Sequence, residues 1–150
     1  DSDALVTRAV FEEIPLLIVY AVVRPGYNAW IAQTCLSEEL DEATLHECAL
    51  ANLAKAPISE AVRQVLETGS MRVLQELGGF DAARVLLLPE CLGQDETLAV
   101  LLFDRGTLTL APPPPDGNWR RLGRLVRRRR TSRPLFGSVI AVNSGGFVVA

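Results

Sequence analysis

The sequence predicts an α+β fold, a mainly antiparallel sheet built from hairpins with two or more helices packed on it. Three observations carry this. Tight-turn signals at Pro25-Gly26, Asp104-Arg105-Gly106 and Asn143-Ser144-Gly145-Gly146 each sit between short apolar runs. Stretches with helical spacing fall between these hairpins, so antiparallel pairing is favoured over crossover units. The composition is globular, 49% hydrophobic and 22% charged over 150 residues, which excludes general disorder.

Residues 1–12 read as a lead-in, with a short helix or irregular chain from Leu5 to Glu13. Leu16 to Arg24 is rich in β-branched residues and predicts a buried strand. Pro25-Gly26 turns the chain, Pro by presetting φ and Gly by accepting positive φ. Tyr27 to Cys35 alternates, which completes a hairpin. Tyr27, Ala29, Ile31 and Gln33 share one face, and Asn28, Trp30 and Ala32 the other. Ser37 is a good N-cap, and Glu38, Glu39, Asp41 and Glu42 fill the turns that follow. Acidic groups there are favoured by the helix dipole, by roughly 0.3–1 kcal/mol each when well placed. Leu45, Cys48, Ala49, Leu53 and Ala56 keep helical spacing, and Pro57 ends the helix near Ala56. Ile58 to Leu66 fits a second short helix or a loop, and Met71 to Leu77 is ambiguous in the same way.

Gly78-Gly79 marks a break. Ala83 to Leu88 fits a strand, or a helix leading into Pro89. Thr97 to Phe103 reads as a buried strand, returned by Thr107 to Ala111. Residues 112–117 form a proline-rich spacer within the domain, stiffened by Pro112 to Pro115. Asn118 caps a helix with Trp119, Leu122, Leu125 and Val126 on one face and arginines mostly on the other. Gly123 weakens it by about 1 kcal/mol relative to Ala. Leu135 to Val142 and Phe147 to Ala150 make the last hairpin. No internal repeat is evident.

A chain of this length is expected to form one domain, residues 1–150, burying roughly 70% of the surface its unfolded form exposes. The longest uncharged apolar run, Ile14 to Val23, is half the ~20 residues a membrane-spanning helix needs, so no membrane span is expected. The acidic start, with Asp1 and Asp3, does not fit a signal peptide, and the absence of Met at position 1 suggests a trimmed start. Cys35, Cys48 and Cys91 are scattered and odd in number, as expected of reduced thiols in a cytoplasmic protein.

Several segments together look familiar. They are Glu13-Ile14-Pro15-Leu16, the acidic helix ending Ala49-Leu50-Ala51-Asn52-Leu53, and Gly79-Phe80-Asp81-Ala82-Ala83-Arg84-Val85-Leu86. Phe103-Asp104-Arg105-Gly106-Thr107-Leu108 and Pro134-Leu135-Phe136-Gly137-Ser138 follow in order. The chain resembles the YtpQ-type family, bacterial proteins of unknown function, over roughly Glu13 to Ala150. Members of that family typically carry an additional N-terminal region that this chain lacks. Where the family pattern has Arg-Asp this chain has Arg105-Gly106, and Phe103 stands where a proline is expected. The resemblance implies one fold and brings no reaction, cofactor or catalytic residue.

Catalytic signatures are thin. His46-Glu47-Cys48 is tempting for metal or thiol chemistry, but Leu50 stands where a His-Glu-x-x-His motif needs its second histidine. Residues i and i+2 of a helix point to different faces, so His46 and Cys48 do not share a ligand sphere. An exposed helix histidine beside a small buried cysteine is the plain reading. Cys91, between Pro89-Glu90 and Gly93, is the thiol expected nearest the surface. No metal site, no cofactor and no phosphate-cradling loop are expected. Asn52, Asp81, Arg84 and Arg105 form a candidate polar cluster, for a ligand or for structure. Asp81 and Arg84, three apart, suit a helix cap or an ion pair better than acid–base catalysis.

Charge is the informative feature. Residues 1–105 hold 7 basic and 17 acidic side chains, a balance of −10, whereas residues 106–150 hold 8 basic and 1 acidic, +7. All eight of those cations, Arg120, Arg121, Arg124, Arg127, Arg128, Arg129, Arg130 and Arg133, fall within fourteen positions. They repel one another unless an anionic surface is near. The acidic run from Glu38 to Glu47, on this chain or a second copy, is one such surface. The function that fits is a non-enzymatic protein-interaction module, binding a protein partner or self-associating through its polarised charge. One alternative is nucleic-acid binding through Arg120–Arg133, against which stand a pI near 5.2 and few aromatics. Another is a small-molecule-binding or enzymatic site around Asp81, Arg84 and Arg105.

Overall fold

A computed structural model of the chain describes residues 4–11, 14–128 and 135–150. The fold is α+β, and every strand pairing among the described residues is antiparallel, as the turn signals predicted. The chain divides into two compact units, one ending at Asn52 and the other starting at Leu53.

The first unit is two hairpins and a helix. Strand β1 (Thr7–Phe11) pairs with β2 (Ile14–Val19), and β3 (Ala21–Arg24) pairs with β4 (Tyr27–Trp30). The expected helical or irregular lead-in is therefore partly a strand. Its sequence is locally neutral, and pairing with the β-branched run decides its state. The expected single strand from Leu16 to Arg24 changes partner at Tyr20. There the carbonyl of Tyr20 accepts the Ile31 N–H at 2.9 Å, and the Ile31 carbonyl accepts the Val6 N–H at 2.9 Å. Leu5 bridges Ala32 beside this junction.

Helix α1 (Glu42–Leu53) starts later than Ser37 and ends short of Ala56. Asp41 caps it instead, its Oδ1 accepting the Thr44 N–H at 2.8 Å. This bond lowers the Asp41 pKa. Ser37 closes the preceding turn, its Oγ accepting the Leu40 N–H at 3.1 Å. Both residues are good caps. The packing of Leu36 and Leu40 onto the core explains which one wins, because it holds the segment between them in a turn. Among the described residues of this unit the buried apolar side chains are Val6, Ile14, Tyr20 and Leu45, and Ile18, Ile31 and Ala49 pack on the cluster of Val6, Tyr20 and Leu45.

The second unit is a five-stranded sheet in the order β5-β7-β6-β8-β9. Its strands are β5 (Arg72–Leu74), β6 (Thr97–Leu101), β7 (Leu108–Ala111), β8 (Ile140–Asn143) and β9 (Gly146–Val149). Strand β8 is shorter than the expected Leu135 to Val142, β9 begins one residue before the expected Phe147, and the expected turn joins them. Helix α2 (Ser59–Thr68) ends at Gly69, whose φ of +68° suits a residue without Cβ. Asp81–Leu87 is a 3₁₀ segment running into α3 (Leu88–Cys91), which resolves the strand-or-helix ambiguity there. Pro112–Pro114 lead to a turn in which the Gly117 N–H reaches the Pro114 carbonyl at 2.9 Å, and α4 (Trp119–Arg128) follows.

Alternation on β6 gives this sheet two covered faces. Ala99, Leu101 and Phe103, with Ala111 and Val139, receive Trp119 and Leu122 of α4. Leu98 and Val100 point the other way and are fully buried, as are Leu108 and Leu110 of β7. Helices α2 and α3 contact β7 and β8. Among the described residues, no helix is long and apolar enough to cross a membrane.

Candidate functional site

Helix α4 is built as two faces. Trp119 and Leu122 pack on the sheet. Arg120, Arg121, Arg124, Arg127 and Arg128 are all exposed. The other expected members of the basic segment, Arg129, Arg130 and Arg133, lie outside the described residues, as do the side chains of Leu125 and Val126.

Spacing makes this helix electrostatically costly. Arg124 lies three or four positions from Arg120, Arg121, Arg127 and Arg128, and each like-charge neighbour destabilises a helix by about 0.2–0.5 kcal/mol. Arg120 and Arg121 occupy the first turn, where the dipole disfavours cations, and Arg127 and Arg128 the last, where it favours them. The helix contains no acid. None of its five described arginines forms an ion pair with another described residue of the second unit. An anion placed over Arg124 relieves the repulsion at its centre.

The candidate polar cluster is partly assembled. Arg84 and Asp81 are buried and paired, Arg84 Nη1 donating to Asp81 Oδ1 at 2.9 Å. The same nitrogen reaches Glu76 Oε2 at 2.9 Å, and Nη2 reaches the Pro57 carbonyl at 3.2 Å. Asp81 Oδ2 accepts the Leu77 N–H at 2.8 Å. Burial pushes the Asp81 pKa up, but the N–H groups of Glu76 and Leu77 and the Arg84 guanidinium outweigh it and hold the carboxyl below its ordinary range. Arg105 joins through its backbone, its carbonyl accepting the Ala82 N–H at 3.1 Å, while its side chain is exposed. The two loops approach closely here, Gly106 standing against Gly79, and the Gly106 N–H donates to Asp104 Oδ1 at 2.8 Å. Asn52 lies in the last turn of α1, in the first unit; Asp81, Arg84 and Arg105 belong to the second. The Asp81–Arg84 pair joins the segments at Pro57, Glu76 and Asp81. Its groups face one another and the backbone, an arrangement suited to holding loops rather than moving protons.

Two arrangements lie beyond what spacing reveals. Arg63 clasps Glu96 with both nitrogens, at 2.7 and 2.6 Å, and also reaches the Cys91 carbonyl at 3.1 Å. Glu96 further accepts the Gly93 N–H at 2.6 Å. The guanidinium, with that N–H, lowers the Glu96 pKa to about 2. Thirty-three positions separate the partners, so no local signal marks them. In the first unit, Tyr20 Oη and His46 Nδ1 lie 2.9 Å apart with their rings edge to face at 89°. His46 is therefore half-buried rather than exposed, and burial with nearby Arg8 lowers its pKa.

The cysteines also depart from expectation. Cys35 and Cys48 are exposed, whereas Cys91 is partly buried and donates to the Leu87 carbonyl at 3.4 Å. Burial raises its thiol pKa, which disfavours the nucleophilic thiolate. No three His, Cys, Asp or Glu side chains gather as a metal site among the described residues. No family model matches the chain, and neither a curated protein nor a solved structure is found similar to it.

Proposed function

We propose that this chain is a non-enzymatic protein-interaction module whose docking face is the arginine side of α4. The carrying observation is that five exposed arginines, on a helix without an acid, are held outward by an apolar underside. The partner is an acidic protein surface. A second copy has one, since Glu38, Glu39, Asp41, Glu42 and Glu47 are all exposed. Electrostatic complementarity of this kind sets encounter rate and specificity more than raw affinity. The free, exposed Cys35 and Cys48 suit a cytoplasmic setting. On sequence motifs alone we place the chain beside the YtpQ-type bacterial proteins, which assigns it no reaction.

Light scattering at tens of micromolar, in low and high salt, tests the self-associating form. Mass that rises at low salt, and fails to do so in the double variant Arg120→Glu/Arg124→Glu, supports it. A mass independent of both salt and variant removes it. Nucleic-acid binding is the second reading, favoured by the density of cations on one helix face. Trp119 is turned onto the sheet, so α4 offers phosphate contacts without a stacking platform. Binding to a labelled DNA duplex would then lose about one unit of salt slope for each phosphate-contacting arginine removed. No binding at low salt eliminates this reading.

A further inference from the structure

The twin hairpins of the first unit have an inner and an outer side. Val6, Ile18, Tyr20 and Ile31 turn inward to Leu45 of α1. Alternation then sends their neighbours outward: Leu5, Thr7, Val19, Ala21 and Trp30 at the junction, with Leu17 and Val23 beyond. The register agrees, pairing Thr7 with Val19, Leu17 with Ala9, Ala21 with Trp30 and Val23 with Asn28. Five large apolar side chains, Leu5, Leu17, Val19, Val23 and Trp30, stand between 38% and 62% exposed on this side. None of the outward residues named here, Ala9 and Asn28 included, is charged.

We infer that this outer face is the contact surface of a homodimer, formed by two copies packing their hairpins face to face about a two-fold axis. The sequence is written for such cover. Ile14 to Val23 is a continuous apolar run, the pattern of strands buried on both faces, yet cover reaches only the inner face of its first part, from Ile14 to Tyr20, and Val22 beyond it is 41% exposed. Size points to a second copy. A unit of about fifty residues buries only about 60% of the surface its unfolded chain exposes and is marginal, so it gains from oligomerisation, disulfides or metal. Its two cysteines are free, and among its described residues no metal cluster forms. With the small and polar residues between them, Leu5, Leu17, Val19, Val23 and Trp30 offer on the order of 500 Å² per copy. Two copies cover about 1,000 Å², the threshold for a specific interface. An uncharged face meets its own image without repulsion, and Trp30 near the junction is the anchor such contacts favour.

This contact is independent of the arginine face and answers oppositely to salt. Sedimentation velocity of the whole chain at tens of micromolar is expected to give a dimer that persists in 1 M salt. The double variant Leu17→Lys/Val23→Lys is expected to sediment as a folded monomer by circular dichroism. Should it misfold, Thr7→Glu/Asn28→Glu places charge on the same face at exposed polar positions and is expected to weaken the dimer at least tenfold. Arg120→Glu/Arg124→Glu is expected to leave it intact. A wild-type monomer in 1 M salt overturns the inference, as does a dimer that folded outer-face variants leave unchanged. Loss of the dimer in the arginine variant alone overturns it too, and assigns self-association to charge.

Discussion

Strand β6 and the β2–β3 segment are composed almost alike, of apolar and branched residues, and meet different surroundings. β6 lies between β7 and β8, with α4 on one side, and its residues from Leu98 to Leu101 have no exposure. In β2–β3 the inward Ile18 and Tyr20 meet Leu45, whereas inward Val22 is 41% exposed and outward Leu17 and Val23 each stay 62% exposed. The difference teaches that an unbroken apolar run encodes a requirement for two covered faces, not the identity of the cover. In the second unit the chain supplies both covers itself. In the first it covers one face as far as Tyr20, and the second copy we infer covers the other.

The comparison can be broken or sharpened by substitution, with urea unfolding followed by circular dichroism as the measure. Arg84→Ala should have the largest effect, about 3–5 kcal/mol, because it leaves the buried Asp81 carboxylate without its partner. Leu98→Ala in β6 should cost about 2–5 kcal/mol through lost burial and a cavity. Tyr20→Phe, which removes the bond to His46 in the thinner core, should cost about 1 kcal/mol. Burial, with nearby Arg8, lowers the His46 pKa, so the folded protein protonates less readily there than the unfolded chain. Stability should therefore fall as pH drops through 6.5, the ordinary histidine value, and His46→Gln should remove that step.

Glu96 adds a second acid step. Its folded pKa of about 2 lies below the ordinary 4.5, so its contribution is present above 4.5 and is lost as pH falls toward 2. Glu96→Gln should flatten that limb. Smallest is Leu17→Ala, within about 0.5 kcal/mol when measured on the monomer. A Leu17→Ala cost in the monomer equal to that of Leu98→Ala would show that the outer face is already covered within one chain.

Legibility in the sequence followed the range of the interaction. The three hairpin turns were legible because Pro, Gly and Asn fix backbone geometry within two or three residues. Helix α4 was legible because its faces separate by charge. The strand β1 was not, since Thr7–Phe11 is a strand by virtue of its partner. Ser37 and Asp41 are equivalent as caps, and only packing in the folded unit distinguishes them. Of the candidate cluster, Asp81 and Arg84 could be paired from spacing because three positions separate them. The Arg63–Glu96 clasp could not, because nothing in either neighbourhood refers to the other.

The two tryptophans fall one to each unit. Trp119 is pressed against the sheet under α4, and Trp30 stands 45% exposed on the outer face. The chain therefore carries two built-in optical probes with different surroundings. Emission from Trp119 belongs at shorter wavelength and shifts red when α4 lifts from the sheet. Trp30 begins red, is readily quenched by acrylamide, and turns blue only when something covers its face. One spectrum taken against protein concentration and again against urea thus separates association from unfolding without any label.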